Sequence, residues 1–325
     1  MTAVASSCAA QKQDQSSRGT TARANVERMN IPVSPRGAPV APWPRPNVHE
    51  YIFRVRSSGG PVLGDGVREF DWTMEIDSKH GLVTVESFRS DADVPGLPMG
   101  LFRFSADDGL LAELLKLIDD ARLGAIKPAM AGHPGYTDRL YEIVRPGSPK
   151  VDVRINNSDE ATNSTIQPLR NRINSLLARS FTHPERAVKT EVTHDGERFS
   201  VTVTNIGVEP VRFVDPRAVA STGPTHRAVV LVTDFPETKP GDPPPHLDWK
   251  EVALEPIQPK PAREPQITLE PGKTWTAQSA TFKRAKGTRY LAFFTWANYG
   301  GDQMPDGIYR IRGRVDSPRL VVNPE

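Results

Sequence analysis

The sequence predicts an α+β domain, antiparallel strands with two helices, followed by an all-β sandwich. Three observations predict it. Between residues 49 and 104 apolar and polar residues alternate with period two, the mark of half-buried strands. Between 105 and 181 the apolar period changes twice to that of a helix. Beyond 190 only short strand-length runs recur, separated by Gly and Pro turns. The expected organisation is a disordered leader and Pro-rich spacer over 1–48, the α+β domain over 49–190, and the sandwich over 191–325 with a Pro-rich insertion at 236–265.

The leader, which opens MTAVASSCAAQKQ, lacks periodicity. The following IPVSPRGAPVAPWPRPNV carries proline at short intervals, which favours extended backbone and removes hydrogen-bond donors. It reads as a semi-rigid spacer. In the α+β domain YIFRVRSSGG, FDWTMEI and GLVTVESF give three strands, with a bend at His80-Gly81, and LFRF a fourth. SADDGLLAELLKLIDDARL follows, with Ser105 and Asp108 in capping-box spacing and a broad leucine face. DRLYEIV and KVDVRIN form a hairpin, and a second helix starts near Thr165 with Leu169, Ile173, Leu176 and Leu177 on one stripe. His183-Pro184 ends that helix.

In the second domain GERFSVTVTNIGVEPVRFV gives a strand, a reversal at Asn205-Ile-Gly207 and another strand. AVVLVTDF, the pair flanking Pro271-Gly272, RYLAFFTWANY and GIYRIRGRV supply further strands. Repeated short strands with Gly/Pro turns over this length argue for an immunoglobulin-like sandwich. The insertion FPETKPGDPPPHLDWKEVALEPIQPKPAREP holds nine prolines and is too polar for a core.

Two resemblances rest on these elements. The order RSSGG, LLAELLKLIDDARL, YTDRLYEIV-PGSP-KVDVRIN and IQPLRNRINSLLARS resembles emfourin, a family of small bacterial metalloprotease inhibitors. It departs from that family in an extra strand-rich stretch between Gly66 and Phe104. The resemblance implies a contact loop from Ser57 to Gly64, with Ser57, Ser58, Gly59 and Gly60 as candidate partner-binding residues; an ordinary hairpin turn is the competing reading. VTVTNIGVEPV, LEPGKTW and DGIYRIRGRV resemble bacterial Ig-like domains, including the family of the intracellular proteinase inhibitor of bacilli. Such likeness implies fold rather than activity.

Composition narrows the chemistry. The 325 residues carry a net charge of +2, so nothing drives the chain globally toward nucleic acid or an anionic surface. Cys8 is the single cysteine, which excludes an intramolecular disulfide and a cysteine-based zinc site. Small residues Ala5, Ser6 and Ser7 precede it and a polar linker follows, an arrangement that resembles the end of a lipoprotein signal without its charged start and apolar core. Lipid attachment at Cys8 and an incidental thiol are the two readings.

The Gly-Lys-Thr at 272–274 is not a phosphate loop, because position 267 is Ile and the setting is strand-turn-strand. The seven histidines contain no HExxH and no i,i+4 pair, and no Gly-x-Ser-x-Gly is present. Asp107-Asp108 suits a helix N-terminus, and Asp119-Asp120 a solvated helix face. Residues 271–325 hold nine Lys and Arg against four Asp and Glu. Arg310, Arg312 and Arg314 alternate on one expected strand and so share a face, which makes them candidate partner-binding residues, or the charged outer face of a soluble sandwich.

The expectation is therefore a non-enzymatic binding protein of the bacterial cell envelope, with no cofactor, metal or nucleic acid. Its expected partner is a protein, a protease being the class that the resemblances imply, and membrane attachment would run through a lipid on Cys8. The alternatives are an envelope accessory or structural protein docking other subunits through its Ig-like domain, and an enzyme with a dispersed active site. Envelope location requires an upstream signal; without one the chain is cytoplasmic.

Overall fold

In the computed structural model the described residues are 50–58, 71–88, 97–126, 138–219, 226–235, 247–259, 261, 264–298 and 306–324. Cys8, Gly59 and Gly60, the leader, and residues 236–246, 260 and 262–263 of the Pro-rich insertion lie outside them. Four strands open the fold: β1 (Ile52–Ser58), β2 (Trp72–Asp77), β3 (Leu82–Ser87) and β4 (Met99–Ser105). Their period-two burial puts Phe53, Val55, Met74, Ile76, Val83, Val85, Phe102 and Phe104 on one face. Helix α1 (Asp108–Asp120) then lays Leu110, Leu111, Leu114 and Ile118 onto that face.

The cap of α1 differs from the expected box. Ser105 ends β4, and Asp107 is the N-cap, its Oδ1 accepting from the Leu110 N–H at 2.8 Å. A carboxylate there satisfies an orphan donor and also meets the positive end of the helix dipole. Strands β5 (Asp138–Val144) and β6 (Val151–Asn156) form the hairpin. A six-residue helix, α2 (Asn157–Thr162), capped by Asn156, precedes α3 (Gln167–Ser180). Pro168 sits in the first turn of α3, where its missing N–H costs nothing.

Strand β7 (Pro184–His194) is absent from the sequence expectation, which ends the second helix at His183-Pro184 and assigns no element before Gly196. It pairs with β4 on one side and with β8 (Phe199–Asn205) on the other. With β13 (Thr274–Gln278) beyond β8, one nine-stranded sheet runs β13-β8-β7-β4-β3-β2-β1-β5-β6. The sheet thus continues through residue 190.

Two apolar cores lie on opposite faces of this sheet. Ala187 belongs to the core beneath the helices, and its neighbour Val188 to the second core. Adjacent strand residues point to opposite faces, so the covered face changes here. The register shift between Leu101 and Phe102 marks the same change in β4: Met99 joins the second core, Phe102 the first.

The second core is closed by two smaller sheets. One, of five strands, runs β11 (Lys250–Ala253), β10 (His226–Asp234), β14 (Tyr290–Asn298) and β16 (Gly313–Asp316), with β17 (Leu320–Val322) also on β14. The other joins β12 (Gln266–Leu269), β9 (Val211–Val214) and β15 (Tyr309–Arg310). Phe213 packs edge-on against Trp296 at 5.1 Å and Trp275 at 6.4 Å between the sheets. The Pro-rich insertion is not wholly loop: β11 lies within it, and Trp249 packs on Phe293 at 5.0 Å. Every pairing but β15 with β9 is antiparallel, so the fold is β-rich and mainly antiparallel.

Candidate functional site

The expected arginine stripe is divided. Arg310 ends β15 in the three-stranded sheet, whereas Arg314 lies on β16 in the five-stranded one, with Arg312 between them. The chain changes sheets because Gly313 passes hard against the end of β3. Its φ is +119°, and a Cβ there would meet the Phe88 carbonyl oxygen at 1.9 Å. Only glycine fits such an approach. The Arg314 N–H consequently donates to the Phe88 carbonyl at 2.7 Å, and the Arg312 guanidinium lies 5.5 Å from the Phe88 ring centroid.

This crossing joins the two groups of candidate residues. The Phe88 N–H donates to the Asp71 carbonyl at 2.9 Å, and the Asp71 N–H to the Ser57 carbonyl at 2.7 Å. Three backbone hydrogen bonds therefore link Ser57 to the segment that carries Arg312 and Arg314. Ser57 and Ser58 themselves are strand residues, 4% and 6% exposed, paired with Arg139 and Asp138 of β5. Ser57 and Ser58 thus belong to β1 rather than to a loop, and the rest of the expected contact loop, 59–64, lies outside the described residues. Arg314 is turned back onto Asp316 at 3.1 Å.

Beside this junction, on the sheet face opposite the helices, a cleft of about 240 Å³ is lined by Arg54, Arg56, Thr73, Met74, Glu75 and Phe88. Arg54 donates to Glu75 at 2.6 Å and to Glu142 at 2.7 Å, and these hydrogen bonds hold its guanidinium charge more firmly than usual. Lys150 binds the other Glu142 oxygen at 2.7 Å. Lys150 first, then Arg54, keep that carboxyl below the usual range against its partial burial. The Tyr309 hydroxyl donates to Glu86 at 2.6 Å across the junction. Burial first, and then the Glu86 charge, push this phenol well above its ordinary value, so it stays protonated as the donor.

Beneath Ser57, on the helix side, lies a second polar group that sequence reasoning missed. Glu160 of α2 is fully buried; it accepts from the Tyr141 hydroxyl and, at 3.3 Å, from Arg139. Arg170 of α3 stands 3.4 Å from its other oxygen, Asn174 accepts from Arg139 at 2.9 Å, and the Arg139 guanidinium lies 5.5 Å from the Trp72 ring centroid. Burial raises the Glu160 carboxyl and lowers the Arg139 guanidinium, each opposed by the other's charge. The signal was present in DRLYEIV, where Arg139 shares the inward parity of Tyr141 and Ile143. Fully buried and bonded on several sides, Glu160 ties α2, α3 and β5 together.

The remaining candidates stay apart. Gly272 sits in the turn between β12 and β13 with φ +73°, the strand-turn-strand setting expected for Gly-Lys-Thr. His80 Nδ1 lies 2.7 Å from Asp77 in the β2–β3 turn. His183 and His194 pack with tilted rings against Phe104 and Phe199. Asp119 pairs with Arg145, and Asp120 with Lys116 at 2.8 Å, on the outer side of α1. Among the described residues no three His, Cys, Asp or Glu side chains are grouped to hold a metal ion, and no helix is long and apolar enough to cross a membrane. Comparison with protein-family models, with curated proteins and with solved structures finds no match to this chain.

Proposed function

We propose that the chain is a non-enzymatic binding protein of the bacterial cell envelope whose partner-binding surface is the junction of Asp71, Phe88 and Arg312, built over the buried Ser57. The observation that carries this reading is the convergence itself. Residues singled out independently in the two halves are brought together by consecutive backbone hydrogen bonds. A binding surface built on rigid strand ends loses little freedom when a partner docks. The guanidinium-on-aromatic pair Arg312–Phe88 is of the type that anchors protein interfaces.

On this reading the first half is an emfourin-like module, the second an immunoglobulin-like sandwich, and the partner an envelope or secreted protease. Lipid on Cys8 would hold the protein at the membrane. The test is to titrate the purified protein into a panel of secreted metallo- and serine proteases. Stoichiometric inhibition that Arg312→Glu weakens, with the fold unchanged by circular dichroism, supports the proposal. Absence of inhibition across the panel removes the protease as partner, and inhibition indifferent to Arg312→Glu moves the surface elsewhere. Turnover of an ester, phosphate or glycoside substrate by the protein alone would overturn the non-enzymatic reading.

A further inference from the structure

The outer edge of β6 points to a second surface, separate from the proposed junction and independent of that reading. Strand β6 is the last of the nine-stranded sheet, and among the described residues its only strand partner is β5. An edge of this kind offers a row of backbone donors and acceptors to another strand. Its side chains are sorted by face: Val153 and Ile155 lie in the helix-side core with Val151 packed against it, while Asp152 and Arg154 lie on the opposite face.

We propose that β6 pairs antiparallel with β6 of a second copy of this chain, about a two-fold axis at Val153. The side-chain pattern fits that partner and, among axes from Asp152 to Arg154, selects that register. Residues directly opposite in an antiparallel pair share a face, so a two-fold axis must pass through a residue rather than between residues. An axis at Asp152 sets Asp152 against itself and Lys150 against Arg154. An axis at Arg154 sets that arginine against its own copy. The axis at Val153 places Asp152 opposite Arg154 twice on the polar face and Val151 opposite Ile155 twice on the apolar one. Both faces are then complementary, and the sheet continues from one copy into the next. The strand has six residues, so the contact is small and the dimer concentration-dependent.

The experiment is sedimentation velocity of the full chain over a wide concentration range, repeated for two variants. The unmodified chain is expected to show a monomer–dimer equilibrium. Asp152→Arg opposes two arginines at both symmetry-related positions and should weaken the dimer about tenfold or more. Adding Arg154→Asp on the same chain recreates opposite charges in exchanged places and should restore dimerisation to within about threefold of the original. Circular dichroism and the unfolding midpoint of both variants serve as controls for folding. A chain that stays monomeric at every concentration overturns the proposal, as does a dimer whose strength ignores the charges at 152 and 154.

Discussion

Replacing Gly313 by alanine tests the crossing on which the candidate site depends. A Cβ at this position meets the Phe88 oxygen at 1.9 Å and its carbonyl carbon at 2.7 Å, both backbone atoms that no rotamer change can move aside. The φ of +119° adds strain for any L side chain, about 1–3 kcal/mol. Relief of the clash requires β16 to move off β3 by more than an ångström, which breaks the 2.7 Å bond from the Arg314 N–H to Phe88. Losing that hydrogen bond costs about 0.5–1.5 kcal/mol more. The expected loss is about 1.5–4.5 kcal/mol in urea unfolding followed by tryptophan fluorescence. Gly147, at φ +72° with open space around its Cβ position, is the control, and Gly147→Ala should cost only about 1 kcal/mol. If Gly313→Ala loses no more than Gly147→Ala, the close approach of β16 to β3 is wrong and the junction with it.

Four further outcomes are expected. Glu160→Ala leaves the Tyr141 hydroxyl without its acceptor and Arg139 without its buried counter-charge, and should cost about 3–5 kcal/mol; Glu160→Gln, which keeps an acceptor oxygen, should cost clearly less. Glu142 is held below its unfolded value of about 4.3, so its stabilisation is present above that pH and lost as pH falls through the lower folded value. Glu142→Gln should therefore flatten the acid limb of the stability profile. Glu160, raised by burial, acts with the opposite sign: its contribution is full below about 4.3 and fades as pH rises through the higher folded value, a slope that Glu160→Gln should abolish. Cys8→Ser should shift the protein from the membrane fraction to the soluble one without altering its unfolding midpoint, and unchanged fractionation would make the thiol incidental.

Much of the local structure was legible because single-face burial writes itself into the chain. FSVTVTN alternates cleanly and forms β8, and the leucine stripe of 110–118 lies where α1 packs. What was not legible has a common cause. PERAVKTEVTH shows a weak pattern because β7 serves both cores, so its apolar residues change face at Ala187-Val188 instead of alternating throughout. IYRIRGRV alternates well and so reads as one strand, but the close approach of Gly313 to Phe88 is a tertiary constraint that periodicity does not encode. In the same way Ser57 and Ser58 read as a turn, being small and polar beside glycines, whereas pairing with β5 buries them. The junction itself joins residues more than 200 positions apart, beyond any local signal.

The change of covered face within β7 bears on how this chain can vary. Ala187 and Val188 are covalent neighbours assigned to different cores. A cut or crossover within Pro184–His194 breaks a strand that both cores use, so a boundary placed there does not yield two interchangeable cassettes. Sequence drift in either core must remain compatible with one shared backbone, which ties the two halves into a single inherited unit.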